Sequence, residues 1–173
     1  MELLDAMLKR RSVRQFKDDD ISDEKLEKIL QAGLLAPTSR NLKPCEFIVI
    51  KDKLILDELS KSKAHGGEFL RNCNLAIAVF ADSEKADTWV EDASIALSFM
   101  HLMACDQGLG SCWCQMHLRS SKDGIDAEDT SRKLLDMEDK FRLVGILGLG
   151  ISKKEPKAYK LDDLDLSKVK FID

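Results

Sequence analysis

The chain has 173 residues, of which 44% are hydrophobic and 34% charged, with 27 Lys and Arg against 31 Asp and Glu for a formal net charge of -4. That length suits one domain with a real core and is short for two, and the acidic balance excludes a general attraction to nucleic acid or to an anionic membrane surface. No apolar run approaches the roughly 18 to 20 residues that span a bilayer, and MELLDAMLKRRS carries its charges after its apolar residues, the reverse of a secretory signal. The expectation is a cytoplasmic protein with no membrane and no nucleic-acid partner.

In chain order, Leu3, Leu4, Met7 and Leu8 recur at helical spacing and predict a short first helix ending near Arg10. Ser22 caps a second helix, with Asp23 and Glu24 in its positive first turn and Leu26 placed to close a hydrophobic staple on Ile21. That helix is predicted to reach Ala36 and stop at Pro37, since the residue before a proline resists the helical conformation. EFIVI (46–50) predicts a strand, 54–63 a helix, and NLAIAVFA (74–81) a fully apolar second strand. Thr88 and Glu91 form a predicted capping box for the longest helix, which runs through EDASIALSFMHLMACDQ and ends at Gly108. It is apolar nearly all round, with Ala93, Ala96, Ser98 and Ala104 permitting close approach, and reads as a central or interface helix. GSCWCQM (110–116) is a third strand, 126–138 a polar helix and FRLVGILGLG (141–150) a fourth strand, while KVKFI near the end can pair as an edge strand. Helices and short strands mix without the regular alternation of a doubly wound sheet, which predicts an α+β fold in one domain over residues 1–173.

Several stretches carry chemistry. KRRSVRQF (9–16) packs Lys9, Arg10, Arg11 and Arg14 into six positions. Extended, it places Arg10, Ser12 and Arg14 on one face and Arg11, Val13 and Gln15 on the other. Two guanidiniums flanking a hydroxyl make a fork for one phosphate or carboxylate; the alternative is a solvated charged turn. APTSRNLKP (36–44) offers the short polar groups of Thr38, Ser39 and Asn41 between two prolines, either for a ligand's oxygens or as a capped turn into the first strand. Five cysteines, an odd number without repeated spacing, predict free thiols, and the Cys112–Cys114 pair has no second pair to complete a metal site. Neither G-x-G-x-x-G nor a P-loop is present, His101 inside the apolar helix reads as a satisfied core residue, and Lys153, Lys154, Lys157 and Lys160 form a late basic run.

In order, these pieces form a set. A short helix before RRSVRQF, then AGLLAPTSRNLKP, then WVEDASIALSFMHLMACDQGLGSCW, then GLG ahead of a basic tail resembles the nitroreductase family over most of the chain. The resemblance implies an α+β sandwich with a central, mostly antiparallel sheet flanked by helices, working as an intertwined homodimer with FMN bound at the interface. It implies that Arg10, Ser12 and Arg14, with Arg11 close by, meet the FMN at its phosphate and at the pyrimidine edge of its ring. Pro37, Thr38, Ser39 and Asn41 would arrive from the other subunit, the backbone near Cys114 and Gln115 would face the reactive nitrogen, and Lys157 and Lys160 would complete the phosphate site. The implied activity is a ping-pong oxidoreductase in which FMN carries the chemistry, NAD(P)H is the donor, and a nitroaromatic or quinone-type small molecule is the acceptor. A flavin-storing or flavin-sensing module with little turnover is the competing reading. Against the family pattern, Lys43 stands for Gln, Cys45 for Trp, Ile151–Ser152 for Tyr-Pro, and the tail offers lysine in place of arginine.

Overall fold

The structure, a computed structural model, describes residues 2–172. Among them are five α-helices, α1 (Leu3–Lys9), α2 (Asp23–Leu34), α3 (Lys53–Lys61), α4 (Trp89–Asp106) and α5 (Ala127–Leu134). Four strands, β1 (Cys45–Ile50), β2 (Leu75–Asp82), β3 (Gly110–Gln115) and β4 (Phe141–Gly150), make one sheet in the order β1-β2-β4-β3. All three strand pairings are antiparallel, so the predicted α+β class and antiparallel sheet are what the chain forms.

The sheet is covered on both faces. Along β2, Ala76, Ala78 and Phe80 point into one core with Leu56, Leu59, Leu70 and Ala127, while Leu75, Ile77, Val79 and Ala81 point into the other with Ile29, Ala96, Leu97 and Met100. This two-sided burial is why β2 reads as an unbroken apolar run rather than an alternating one. Each fully buried Leu, Ile or Phe contributes about 1.5–3 kcal/mol. Opposite Val79 and Phe80 the register of β4 slips by one residue. The slip lets Leu143 and Ile146 share one core, and Val144 and Leu147 the other, despite their odd spacing.

Local chemistry explains the element ends. Ser22 accepts from the Lys25 N–H, Asp52 from Leu54 and Ile55, and Asp126 from Asp129, each satisfying first-turn donors. Gly108 takes φ +72°, the left-handed turn that stops α4 and admits β3 two residues later. Two local expectations fail. Thr88 makes no capping bond, because its backbone is not extended and its hydroxyl donates instead to the buried Asp92 at 3.3 Å. The KVKFI stretch forms no strand: the edge of β3 is bridged at Ser111 by Ser12, and Phe171 and Ile172 are 85% and 99% exposed.

Candidate functional site

The site grows from the outer edge of β3. The Val13 N–H donates to the Ser111 carbonyl at 2.9 Å, so the backbone groups of Ser111 point away from β4. Strand alternation then points those of Trp113 and Gln115 the same way and turns those of Cys114 into the ladder opposite Ile146. Of the pair read from sequence, the backbone N–H on the open edge therefore belongs to Gln115. Its side chain is occupied, accepting from Trp113 Nε1 at 3.0 Å and donating to the His117 carbonyl at 3.1 Å.

The segment after α1 runs along this edge. Gly110 permits the approach, since a Cβ there would lie 2.8 Å from Val13 Cγ1. Burial pushes the Cys112 thiol up in pKa, and Arg14, a hydrogen bond with Ser12, Lys63 and Arg10 all pull it back down. The arginines of the segment do not share one cavity: Arg14 lines a separate one with Gln15, Phe16 and Lys153. Arg11 is tied to the tail. Its guanidinium donates to the Lys157 carbonyl at 2.7 Å and lies 4.4 Å from the Tyr159 ring centroid, while the Tyr159 N–H bonds the Leu8 carbonyl at 2.9 Å. Between this strap and the tail lies a cavity of about 450 Å³ lined by Arg10, Arg11, Ser111, Ser152 and Pro156. Lys157 and Lys160 are exposed; Lys157 meets the strap through its carbonyl, and the Lys160 N–H bonds Asp163 at 2.8 Å.

Pro37, Thr38, Ser39 and Asn41 are elsewhere. The Ser39 N–H donates to Asp92 Oδ1 at 2.9 Å, and Thr38 Oγ1 accepts from the Lys43 N–H at 3.0 Å. Arg40, Asn41 and Lys43 have φ of 52°, 54° and 49°, a local concentration of costly left-handed backbone held by these bonds. The loop leads into β1, at the opposite edge of the sheet from β3, three strand spacings or roughly 14 Å away. Within one protomer the two clusters do not meet.

Three residues with a part here were not singled out from sequence as site residues. Lys63 is an ordinary lysine in a polar stretch, and nothing in its spacing marks it. It is placed by the 63–67 turn, whose Gly66 carbonyl accepts the Cys114 thiol at 3.8 Å and whose Gly67 backbone lies against the Lys63 stem. Asp92 and His101 are buried polar side chains within the apolar α4, and their interruption of that helix was the available signal. His101 is satisfied, as expected, but by Arg10 at 3.0 Å and Ser111 at 2.5 Å.

The family model described as the Nitroreductase family matches residues 7–68 and 57–151. A protein of Archaeoglobus fulgidus named "Putative NADH dehydrogenase/NAD(P)H nitroreductase" is 35% identical over 166 residues, 94% of this chain and 92% of its own length. A solved FMN-dependent nitroreductase from Clostridium difficile R20291 superposes with a TM-score of 0.95 at 46% identity, covering 98% of this chain and 99% of that one. A "putative nitroreductase in complex with FMN" from Desulfovibrio desulfuricans gives 0.78 at 26% identity, covering 99% of both chains. The fold is thus that of a nitroreductase-type α+β protein. The chain belongs to the nitroreductase family, a family of oxidoreductases.

Proposed function

We propose that this protein is an FMN-dependent oxidoreductase that uses NAD(P)H to reduce nitroaromatic or quinone-type acceptors by a ping-pong mechanism. The observation that supports the reading is the cavity of about 450 Å³ lined by Arg10, Arg11 and Ser111 at the outer edge of β3, the edge to which the Gln115 N–H points. The donor set suits FMN: a guanidinium for a dianionic phosphate, cations for an electron-accepting pyrimidine edge, and a backbone N–H for the ring nitrogen. Held there, the flavin would supply the hydride and electron chemistry between NAD(P)H and the acceptor.

The chain's own residues bind and tune. Arg10, helped by Lys157 and Lys160, grips phosphate, while Arg14 and Lys63 put positive charge where electrons arrive and so raise the electron affinity of that edge. The Gln115 N–H fixes the ring against β3. Protons come from water, so no acid–base triad is needed.

The working unit in this reading is a homodimer. An apolar groove of about 510 Å³ lined by Leu3, Met7, Phe99, Leu102 and Met103 lies on α1 and α4, and Phe99 and Met7 are 40% and 46% exposed. A second subunit covering it would remove that surface from water and could bring the partner's loop 37–41 toward the β3 edge, which a subunit's own loop does not reach. The test is the absorbance spectrum of the purified protein before and after anaerobic NAD(P)H, then after a nitroaromatic or quinone. A yellow protein that bleaches and recovers with each addition is the expected result. Bleaching without turnover would favour flavin storage, and a colourless protein that takes up no FMN would overturn the reading.

A further inference from the structure

We propose that His101 is a positioning residue for the cofactor site: from inside α4 it accepts a hydrogen bond from Arg10 and thereby aims that guanidinium at the phosphate of the bound flavin. The inference rests on the proposed function and deepens it. Arg10 NH1 is 3.0 Å from His101 Nε2, and His101 Nδ1 is 2.5 Å from Ser111 Oγ, with His101 7% and Ser111 2% exposed.

Chemistry decides the direction of both bonds. Arginine can only donate, so Nε2 is bare; a neutral ring must then carry its proton on Nδ1, which donates to the Ser111 hydroxyl. Burial, followed by the charge of Arg10, pushes the His101 pKa down to about 4, which keeps the ring neutral and accepting. Ser111 is itself bridged to Ser12 and accepts from Val13 through its backbone. Helix, strand and strap are therefore joined through one imidazole. A long side chain such as Arg10 loses rotamer freedom when it binds an anion, and a preformed bond to His101 removes part of that cost beforehand. The bond occupies one guanidinium nitrogen and leaves the other donors for phosphate.

The test compares FMN with riboflavin, which lacks the phosphate, by titration of the flavin-free dimer. His101→Leu, which removes the acceptor, is expected to weaken FMN roughly 10-fold and leave riboflavin unchanged. His101→Gln, whose Oε1 can accept from Arg10, should restore FMN affinity to within about threefold of the unaltered protein. With Arg10→Ala already in place, His101→Leu should cost FMN less than about twofold more, because the two residues act as one unit. Equal weakening of FMN and riboflavin, or additive losses in the double variant, would reduce His101 to a packing residue and overturn the inference. Failure of the underlying reading shows differently: an unaltered protein that binds FMN no better than riboflavin has no phosphate site for Arg10 to serve.

Discussion

Glu128 and Arg142 form a two-pronged ion pair at the junction of α5 and β4, with both carboxylate oxygens taking guanidinium donors. The same carboxylate accepts from the Leu143 N–H at 3.2 Å and lies 3.0 Å from His117 Nδ1, while Glu128 is 3% exposed. Breaking the pair leaves the buried Leu143 N–H and the partly exposed Arg142 and His117 without their acceptor. Glu128→Ala is expected to destabilise the fold by about 1.5–3 kcal/mol, measured as a lowered urea midpoint at constant slope. A loss below about 1 kcal/mol would mean that water replaces the carboxylate.

Close packing at Gly148 predicts a second cost. A Cβ there would lie 2.5 Å from Cys73 Sγ and 2.7 Å from Phe69 Cε2. Gly148→Ala should destabilise by about 1–3 kcal/mol through overpacking. Combining it with Cys73→Ala should recover part of the loss, and a plain sum of the two penalties would show that the clash is not local.

His101 also predicts a pH dependence of stability. Its pKa in the folded protein is pushed down to about 4 from an ordinary value of 6.5. Between those values the unfolded chain holds a proton that the folded one lacks, so stability is full above about pH 6.5 and falls as pH drops toward 4. The magnitude is on the order of 3 kcal/mol for a group this buried. His101→Gln should flatten this part of the stability profile, and a profile with unchanged slope would contradict a neutral buried imidazole.

The two faces of the strap should differ. Arg10→Ala or Arg14→Ala removes charge-assisted bonds of about 1.5–3 kcal/mol, a roughly 10-fold to 150-fold loss of FMN affinity. Arg11→Ala should cost FMN less and instead loosen the tail, because Arg11 is engaged with Lys157 and Tyr159. Flavin titration and hydrogen exchange at 157–160 read the two effects separately.

A mixed dimer tests the shared site. Combining Arg14→Ala subunits with Ser39→Ala subunits should give one site of near-native FMN affinity and one badly weakened, since both defects fall on the same flavin. Two equally weakened sites would place both residues of one chain at one flavin. Sedimentation of a Phe99→Glu variant checks the dimer itself: dissociation with loss of flavin is expected, and a flavin-loaded monomer would defeat the shared-site reading.

Local patterns in the sequence settled much of the architecture. The unbroken apolar run of β2, the Ser22 cap and Gly108 after α4 are set within a few residues of chain by burial, orphan helix donors and backbone sterics, so they are readable without the fold. What tertiary structure alone decided is which of these pieces meet. The 63–67 turn docks on β3 at the Cys114 thiol, Arg11 is tied to a tail more than a hundred residues distant, and the Gln115 N–H faces outward because β4 claims the other edge of β3. Arg10 and His101 are 91 residues apart, and their bond exists only because α4 crosses the sheet beneath the strap. Such contacts depend on the register of strands and the placement of a helix on a sheet, which are cooperative properties of the packed chain and leave no local trace in composition or spacing.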